Sequence, residues 1–395
     1  MGPKNRLVLP GALVLSLAIS IAMAILRPVP HGHRYDLSVQ LAVGLALIWF
    51  LSKVSLGWVF RPGVLAAVLV AGLGLGILNV SSIDPGSEVV GYYQSVFAAL
   101  DSGRNPYTSG TIFHKDEGGN PVYGNFNYPP AEIYPYYLAY RVLGRWNSTV
   151  LTGVMILLNG LACLLLLWTF PHIRARNLAA FFPLFLLGEI KANPALTFLL
   201  TAVLLGLIVR EMERPGRSRP YLIAVVFGVG LTTKFLILPL MAAYFWNKFR
   251  RNEPATLAPI ALGGAIALAT SALIMAPFGV LAVLKNTFFF NLNLGQRSVL
   301  TTFYPNVLSG PLTALSLGSV YPLAAVALVA LAVLAAPRLG LFAAMLTAVF
   351  AFLLAAPTPE PQYLPIVLYL ALVSRCVELE GRAGEAGPAA GAARA

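Results

Sequence analysis

Six stretches of this chain, residues 7–26, 63–80, 148–170, 255–277, 319–336 and 339–356, run for 18 to 23 residues without one charged side chain. An α-helix rises about 1.5 Å per residue, so roughly 20 apolar residues match the hydrocarbon thickness of a bilayer. Backbone amides in hydrocarbon must be satisfied within their own segment, which leaves helix as the structure open to such runs. Shorter apolar runs lie between them, at 37–51, 178–188, 194–209, 222–233, 235–246 and 363–374. Together they predict about twelve crossings, the shorter ones paired, tilted or partly re-entrant because about 12 residues reach only part of the way. The expected fold is an all-α polytopic membrane protein. Residues 1–376 read as a single membrane domain and 377–395, rich in Gly, Ala and Arg, as a disordered tail.

Charge supports the same frame. The net charge of +12 suits nucleic acid or a membrane, and the distribution favours the membrane. With the N-terminus cytoplasmic, 17 of the 27 Lys and Arg residues fall in cytoplasmic segments, while 9 of the 15 acids fall on the other side. No nucleic-acid partner is expected. Lys4 and Arg6 ahead of an apolar run resemble a signal peptide, but the run's length favours an uncleaved first span. Two cysteines, Cys163 and Cys376, imply neither a disulfide framework nor a paired-ligand zinc site.

One block departs from this pattern. Residues 81–147 hold six acids (Asp84, Glu88, Asp101, Asp116, Glu117, Glu132), nine tyrosines and no run long enough to span. Such a block needs water or a ligand to solvate it, and the charge bias places it outside. Asp84-Pro85 reads as a helix start, with Asp84 as N-cap and Pro85 in the first turn. The helix is expected to run to Leu100 and to stop at Gly103. Val89, Val90, Tyr93, Val96, Phe97 and Leu100 recur at helical spacing, so this helix is expected to lie along the membrane surface. Asp84 reads equally as a cap or a functional acid. Glu88 reads as a first-turn acid favoured by the helix dipole, or as a catalytic one. Tyr92 and Tyr93 read as interface aromatics or as ligands. Further on, Tyr128-Pro129-Pro130 forbids helix and fixes an extended or turning backbone.

Later segments carry further polar clusters. Gly188-Glu189-Ile190-Lys191-Ala192-Asn193 lies between two short apolar runs. Lys234, in Thr232-Thr233-Lys234-Phe235, stands within a hydrophobic stretch. A lysine there costs roughly 2.5–3.5 kcal/mol on insertion scales and needs an anionic partner. A carboxylate such as Glu189 or a lipid phosphate meets that need. Residues 278–316 form a second outer loop, in which Phe288–Ser298 places aromatics and amides beside Arg297, a residue suited to bidentate phosphate binding or to snorkelling. Pro357-Thr358-Pro359-Glu360-Pro361-Gln362-Tyr363 precedes the last apolar run.

An acid, then Tyr-Tyr, then Gly-x-x-Pro-Tyr at Gly103–Tyr107, then Tyr-Pro-Pro before a span resembles the first outer loop of the GT-C superfamily. More closely, it resembles the polyprenol-phosphate-mannose-dependent mannosyltransferases of glycosyltransferase family 87, related to the eukaryotic PIG-M type. The resemblance implies a GT-C-type helical bundle and covers residues 83–363. In that family an Asp four residues before the tyrosine is the general base. Glu88 occupies that place here, and spacing about one residue off the family pattern keeps Asp84 as its rival. The family's Gly-Gln-x-Asn is matched only in part by Gly188 to Asn193. A lysine is found in the family where Lys234 stands, and Gln362-Tyr363 matches a Pro-Gln-Tyr or His-Gln-Tyr sequence.

The activity so implied moves a hexose, mannose by default, from a polyprenyl monophosphate to a glycolipid or glycan acceptor outside the membrane. Glu88 or Asp84 would deprotonate the acceptor hydroxyl. Lys234, Lys191 and Arg297 would hold the departing phosphate. Tyr92, Tyr93, Tyr128, Asn193, Gln362 and Tyr363 would contact substrate or lipid. A single base predicts inversion, without a two-carboxylate retaining geometry. No cofactor is required, no metal ligands stand out, and a divalent metal is compatible with the reaction without being demanded. The competing classes are a secondary transporter and a lipid-linked oligosaccharide polymerase or ligase.

Overall fold

Asn147 starts the longest helix among the described residues by accepting a hydrogen bond from the Val150 amide at 3.0 Å. That helix belongs to a computed structural model that describes residues 88–115, 121–170, 195–213, 218–251, 257–289, 312, 315–335, 340–355, 366–367 and 369–378. In chain order the described elements are α1 (Glu88–Asp101), the strands β1 (Ile112–Lys115) and β2 (Pro121–Gly124), a 3-10 turn (Pro130–Glu132) and α2 (Ile133–Leu143). Then follow α3 (Ser148–Thr169), α4 (Ala195–Glu213), α5 (Arg219–Leu231), α6 (Ile237–Arg251) and α7 (Leu257–Met275). The last are α8 (Val280–Leu284), α9 (Tyr321–Ala335) and α10 (Leu341–Ala355), with further helix over residues 369–378. The expected runs at 7–26, 37–51, 63–80 and 178–188 lie outside the described residues.

The described residues are mostly helical. Three helical segments, Ser148–Thr169, Ala195–Glu213 and Ala261–Phe278, are long and apolar enough to cross a membrane. On α3 the exposed residues Leu157, Leu161, Leu164 and Trp168 recur at helical spacing, giving an apolar face that no described residue covers. The opposite face carries Leu151, Met155, Leu158, Ala162 and Leu166 into protein. Helices α5 and α7 approach so closely that a Cβ at Gly228 would lie 2.4 Å from the Ala267 carbonyl oxygen. Ser271 on α7 uses that proximity to donate to the Gly228 carbonyl at 2.8 Å.

Between α1 and α3 the chain builds a second core, of aromatic rings. Tyr93, Phe97, Tyr107, Phe126 and Tyr136 are fully buried. Tyr93 faces Tyr136 at 4.8 Å between centroids, and Trp146 stands edge-on to Phe97 at 4.9 Å. Each such pair adds about 0.5–1.5 kcal/mol beyond the area it buries. Polar tips find partners: Tyr107 donates to the Tyr128 carbonyl at 2.7 Å, and Trp146 to the Val90 carbonyl at 3.0 Å.

Two sequence expectations change here. The apolar stripe of α1 packs into this aromatic core, so it is covered by protein side chains and is not laid on a membrane surface. Residues 112–115 and 121–124, part of a block read in an all-α chain, form two antiparallel strands in which Phe113 pairs with Tyr123. The stop at Gly103 is as expected, with a left-handed φ of 68° that favours glycine.

Candidate functional site

The two short apolar runs expected at 222–233 and 235–246 are two helices, α5 and α6. Pro239 lacks the amide that would bond back to residue 235, so it sits in the first turn of α6, where that amide is not needed. Thr232 and Thr233 end α5 by donating their hydroxyls back to the carbonyls of Val229 and Gly230, both at 2.7 Å. The five residues 232–236 between the helices thus form a turn, and Lys234 stands in its middle.

The Tyr-Pro-Pro segment docks onto this turn. Pro129 holds an extended backbone (φ −64°, ψ 152°) that leads into the 3-10 turn Pro130–Glu132. The Ala131 amide then donates to the Thr232 carbonyl at 2.9 Å. This contact joins the polar block to the turn between α5 and α6, and Thr197 joins the first turn of α4 to both.

Four side chains define the meeting point. Glu132 has 0% exposure and Lys234 7%. The Thr197 hydroxyl lies 3.2 Å from Glu132 Oε1 and 3.1 Å from Thr233 Oγ1, so its single proton serves two acceptors. Glu132 Oε2 has no hydrogen-bond partner among the described residues. Lys234 Nζ sits 3.9 Å from the centroid of the Tyr128 ring, within cation–π range.

Electrostatics follow from that burial. Desolvation pushes the Glu132 carboxyl up from its ordinary 4.5 to about 7, while the Lys234 charge and the Thr197 hydrogen bond pull the other way. Burial, helped by Glu132 and Tyr128, holds the Tyr136 phenol well above its usual range. The arrangement can hold a proton near neutrality and can present one cation, backed by a ring and hydroxyls, to an anion.

Of the residues singled out from sequence, the structure brings Tyr92, Tyr128 and Lys234 into one neighbourhood. Tyr92 and Tyr128 meet edge to face at 5.5 Å, and Tyr92 donates to Asn127 Oδ1 at 2.7 Å. Tyr93, read as a substrate contact, has no exposed surface and stands within the aromatic core. Glu88 is described through its backbone only, as the first residue of α1. Asp84, Lys191, Asn193, Arg297, Gln362 and Tyr363 lie outside the described residues, as does Glu189, the carboxylate weighed from sequence as a partner for Lys234.

Glu132, Thr197 and Thr233 are the members that sequence reasoning did not select. Glu132 follows directly on Pro129-Pro130-Ala131, and an acid on so rigid a turn is a usable signal. Thr197 carries none, because a threonine in the first turn of an apolar helix is ordinary. Comparison of the chain with protein-family models, with curated proteins and with solved structures finds no match.

Proposed function

We propose that this chain is an integral membrane glycosyltransferase. In this reading it moves a hexose, most simply mannose, from a polyprenyl monophosphate to an extracytoplasmic lipid or glycan acceptor. One observation carries the reading: a buried lysine at a break between two apolar helices, met there by the Tyr-Pro-Pro turn of the polar block. Irregular backbone among apolar helices is tolerated where it is buried in protein or lines a cavity, and a buried cation calls for an anion. A lipid phosphate supplies that anion, and the order of motifs resembles that of family 87 enzymes.

The chemistry asked of the residues is simple. The acceptor hydroxyl attacks the anomeric carbon from the side opposite the phosphate, and its proton passes to a loop carboxylate, Glu88 or Asp84. The bond from the anomeric carbon to the phosphate oxygen breaks, a new glycosidic bond forms with inversion, and polyprenyl phosphate leaves. Lys234, with Lys191 and Arg297, would balance the charge gathering on the departing phosphate.

Transfer of labelled mannose from polyprenyl-phosphate mannose by the purified, lipid-reconstituted chain tests the reading. Glu88→Gln is expected to lower kcat by about 10²-fold or more, and Lys234→Ala to weaken donor binding by about tenfold or more. Full transfer by Glu88→Gln moves the base to Asp84; unchanged donor affinity in Lys234→Ala removes that residue from the site. A secondary transporter also places broken helices at its binding site, and the break at 232–236 keeps that reading open. Uptake of a labelled solute into proteoliposomes without chemical change would favour it.

A further inference from the structure

The site holds a group for which the proposed reaction has no use: Glu132. It is a carboxyl with no exposed surface, one oxygen shared with Thr197 and the other without a partner among the described residues. Beside it, Lys234 is held over Tyr128 and acts on Glu132 electrostatically. A buried carboxylate with an unused oxygen is poorly solvated, and the charge of Lys234 is what supports it. An arriving phosphate competes for that same charge.

We infer that Glu132 is the internal counter-ion of Lys234, that a lipid-linked phosphodiester takes its place when it binds, and that the displaced carboxyl then holds a proton. The exchange balances: one phosphodiester monoanion and one proton from solvent enter, and the net charge of the buried cluster is unchanged. Glu132 is thus a positioning residue that acts through Lys234. The inference rests on reading Lys234 as the donor-phosphate cation.

The surrounding groups agree. The described ionisable side chains acting at the cluster are Lys234 from the turn after α5, Tyr128 on the chain leading into the 3-10 turn, and Tyr136 on α2. Burial keeps Tyr136 neutral. Among the described residues, α4 and the turn also bring the hydroxyls of Thr197 and Thr233. Glu132 therefore carries the titration near neutral pH among these groups, since burial has already moved it upward.

The experiment measures binding of a decyl phosphoryl mannose, a phosphodiester whose own charge is constant across the neutral range, to the full chain in detergent micelles. Uptake of one proton predicts affinity that weakens by about tenfold per pH unit above the titration of Glu132, and levels below it. Glu132→Gln is expected to hold the wild-type low-pH affinity and to flatten the profile between about pH 6 and about pH 9. Thr197→Val removes a hydrogen bond that favours the charged carboxyl, so its break point should move to higher pH. A flat wild-type profile, or an unchanged slope in Glu132→Gln or break point in Thr197→Val, overturns the inference. Proton-linked binding without sugar transfer would leave it standing and reject the glycosyltransferase reading. Transfer with pH-independent binding would do the reverse, and no binding at all would reject both.

Discussion

Burying Glu132 should register in stability as well as in ligand binding. Its folded-state pKa is raised above its unfolded value, from 4.5 to about 7. The folded chain therefore holds this proton more tightly than the unfolded chain does. The stability it contributes is fully present below the unfolded value, declines as pH rises through the interval between the two, and is gone above the folded one. The effect is on the order of 1–3 kcal/mol, given the opposing pull of Lys234. Thermal melting of the wild type in detergent should fall between acid and mildly alkaline pH by several degrees more than that of Glu132→Gln. Parallel curves would mean that the carboxyl keeps one charge state throughout. At this scale the site was half legible in sequence. A lysine amid apolar residues announces itself because its desolvation is costly wherever the fold places it. Glu132 was one of six acids in a polar block, and its place directly after Pro129-Pro130-Ala131 is what sets it apart from the others. Burial is a tertiary property, set here by Pro129-Pro130 aiming the chain at the turn after α5.

At the scale of elements, the helix of the polar block with an exposed apolar side is α2, not α1. Leu138 is 64% and Val142 73% exposed, and with Tyr134 they recur every four residues along one side of α2. Ile133 and Tyr136 are buried on the other. A polar edge borders the stripe. Tyr137 donates to Asp101 Oδ1 at 2.7 Å and Tyr140 to Oδ2 at 3.0 Å, with Arg141 Nη1 3.4 Å from Oδ1. Hydrogen bonds from Tyr137 hold that carboxyl below its ordinary value. Apolar stripe, charged edge and direct continuity into the lipid-length helix α3 are the marks of an interfacial helix. A bimane label at Leu138 should be quenched several-fold more by brominated lipid than one at Gln94, on the exposed side of α1. Equal quenching would remove the distinction. Both helices carry apolar residues at helical spacing, and periodicity does not say whether a stripe meets lipid or protein. The deciding partners of α1, Phe126 and Tyr136, lie tens of residues away in sequence, and tyrosines near a membrane read first as interface anchors. The strand pair was illegible for a related reason, since four-residue strands carry too little alternation to declare themselves.

At the scale of the molecule, the three helices long enough to cross could be read because hydrocarbon imposes one length and one composition. How the polar block is fastened to them could not, because asparagines do it. Asn105 Nδ2 donates to the Phe278 carbonyl at 2.7 Å, and Asn286 Nδ2 to the Tyr107 carbonyl at 2.8 Å. Asn125 Nδ2 completes the set at 3.3 Å from Asn286 Oδ1. Asn286 lies in a five-residue π-helical turn, Lys285–Phe289, and its Nδ2 also donates to the Ala282 carbonyl at 2.9 Å. The aromatic core and residues 276–289 are therefore one body, although more than 150 residues separate their sequences. The cluster around Lys234 depends on that fastening, because the chain that the aromatic core holds also carries Tyr128 and Glu132. Asn286→Leu removes two of these three contacts, those to Tyr107 and Asn125, while keeping side-chain size, at about 0.5–1.5 kcal/mol for each hydrogen bond lost. Hydrogen exchange at the amides of α1 and of Phe126 to Tyr128 should then quicken by about tenfold or more, with α3 and α4 unchanged. A uniform rise across all four regions would instead mean that the whole bundle had loosened. If α1 alone responded, the polar block would not move as one body, and Glu132 would owe its position to the turn after α5 alone.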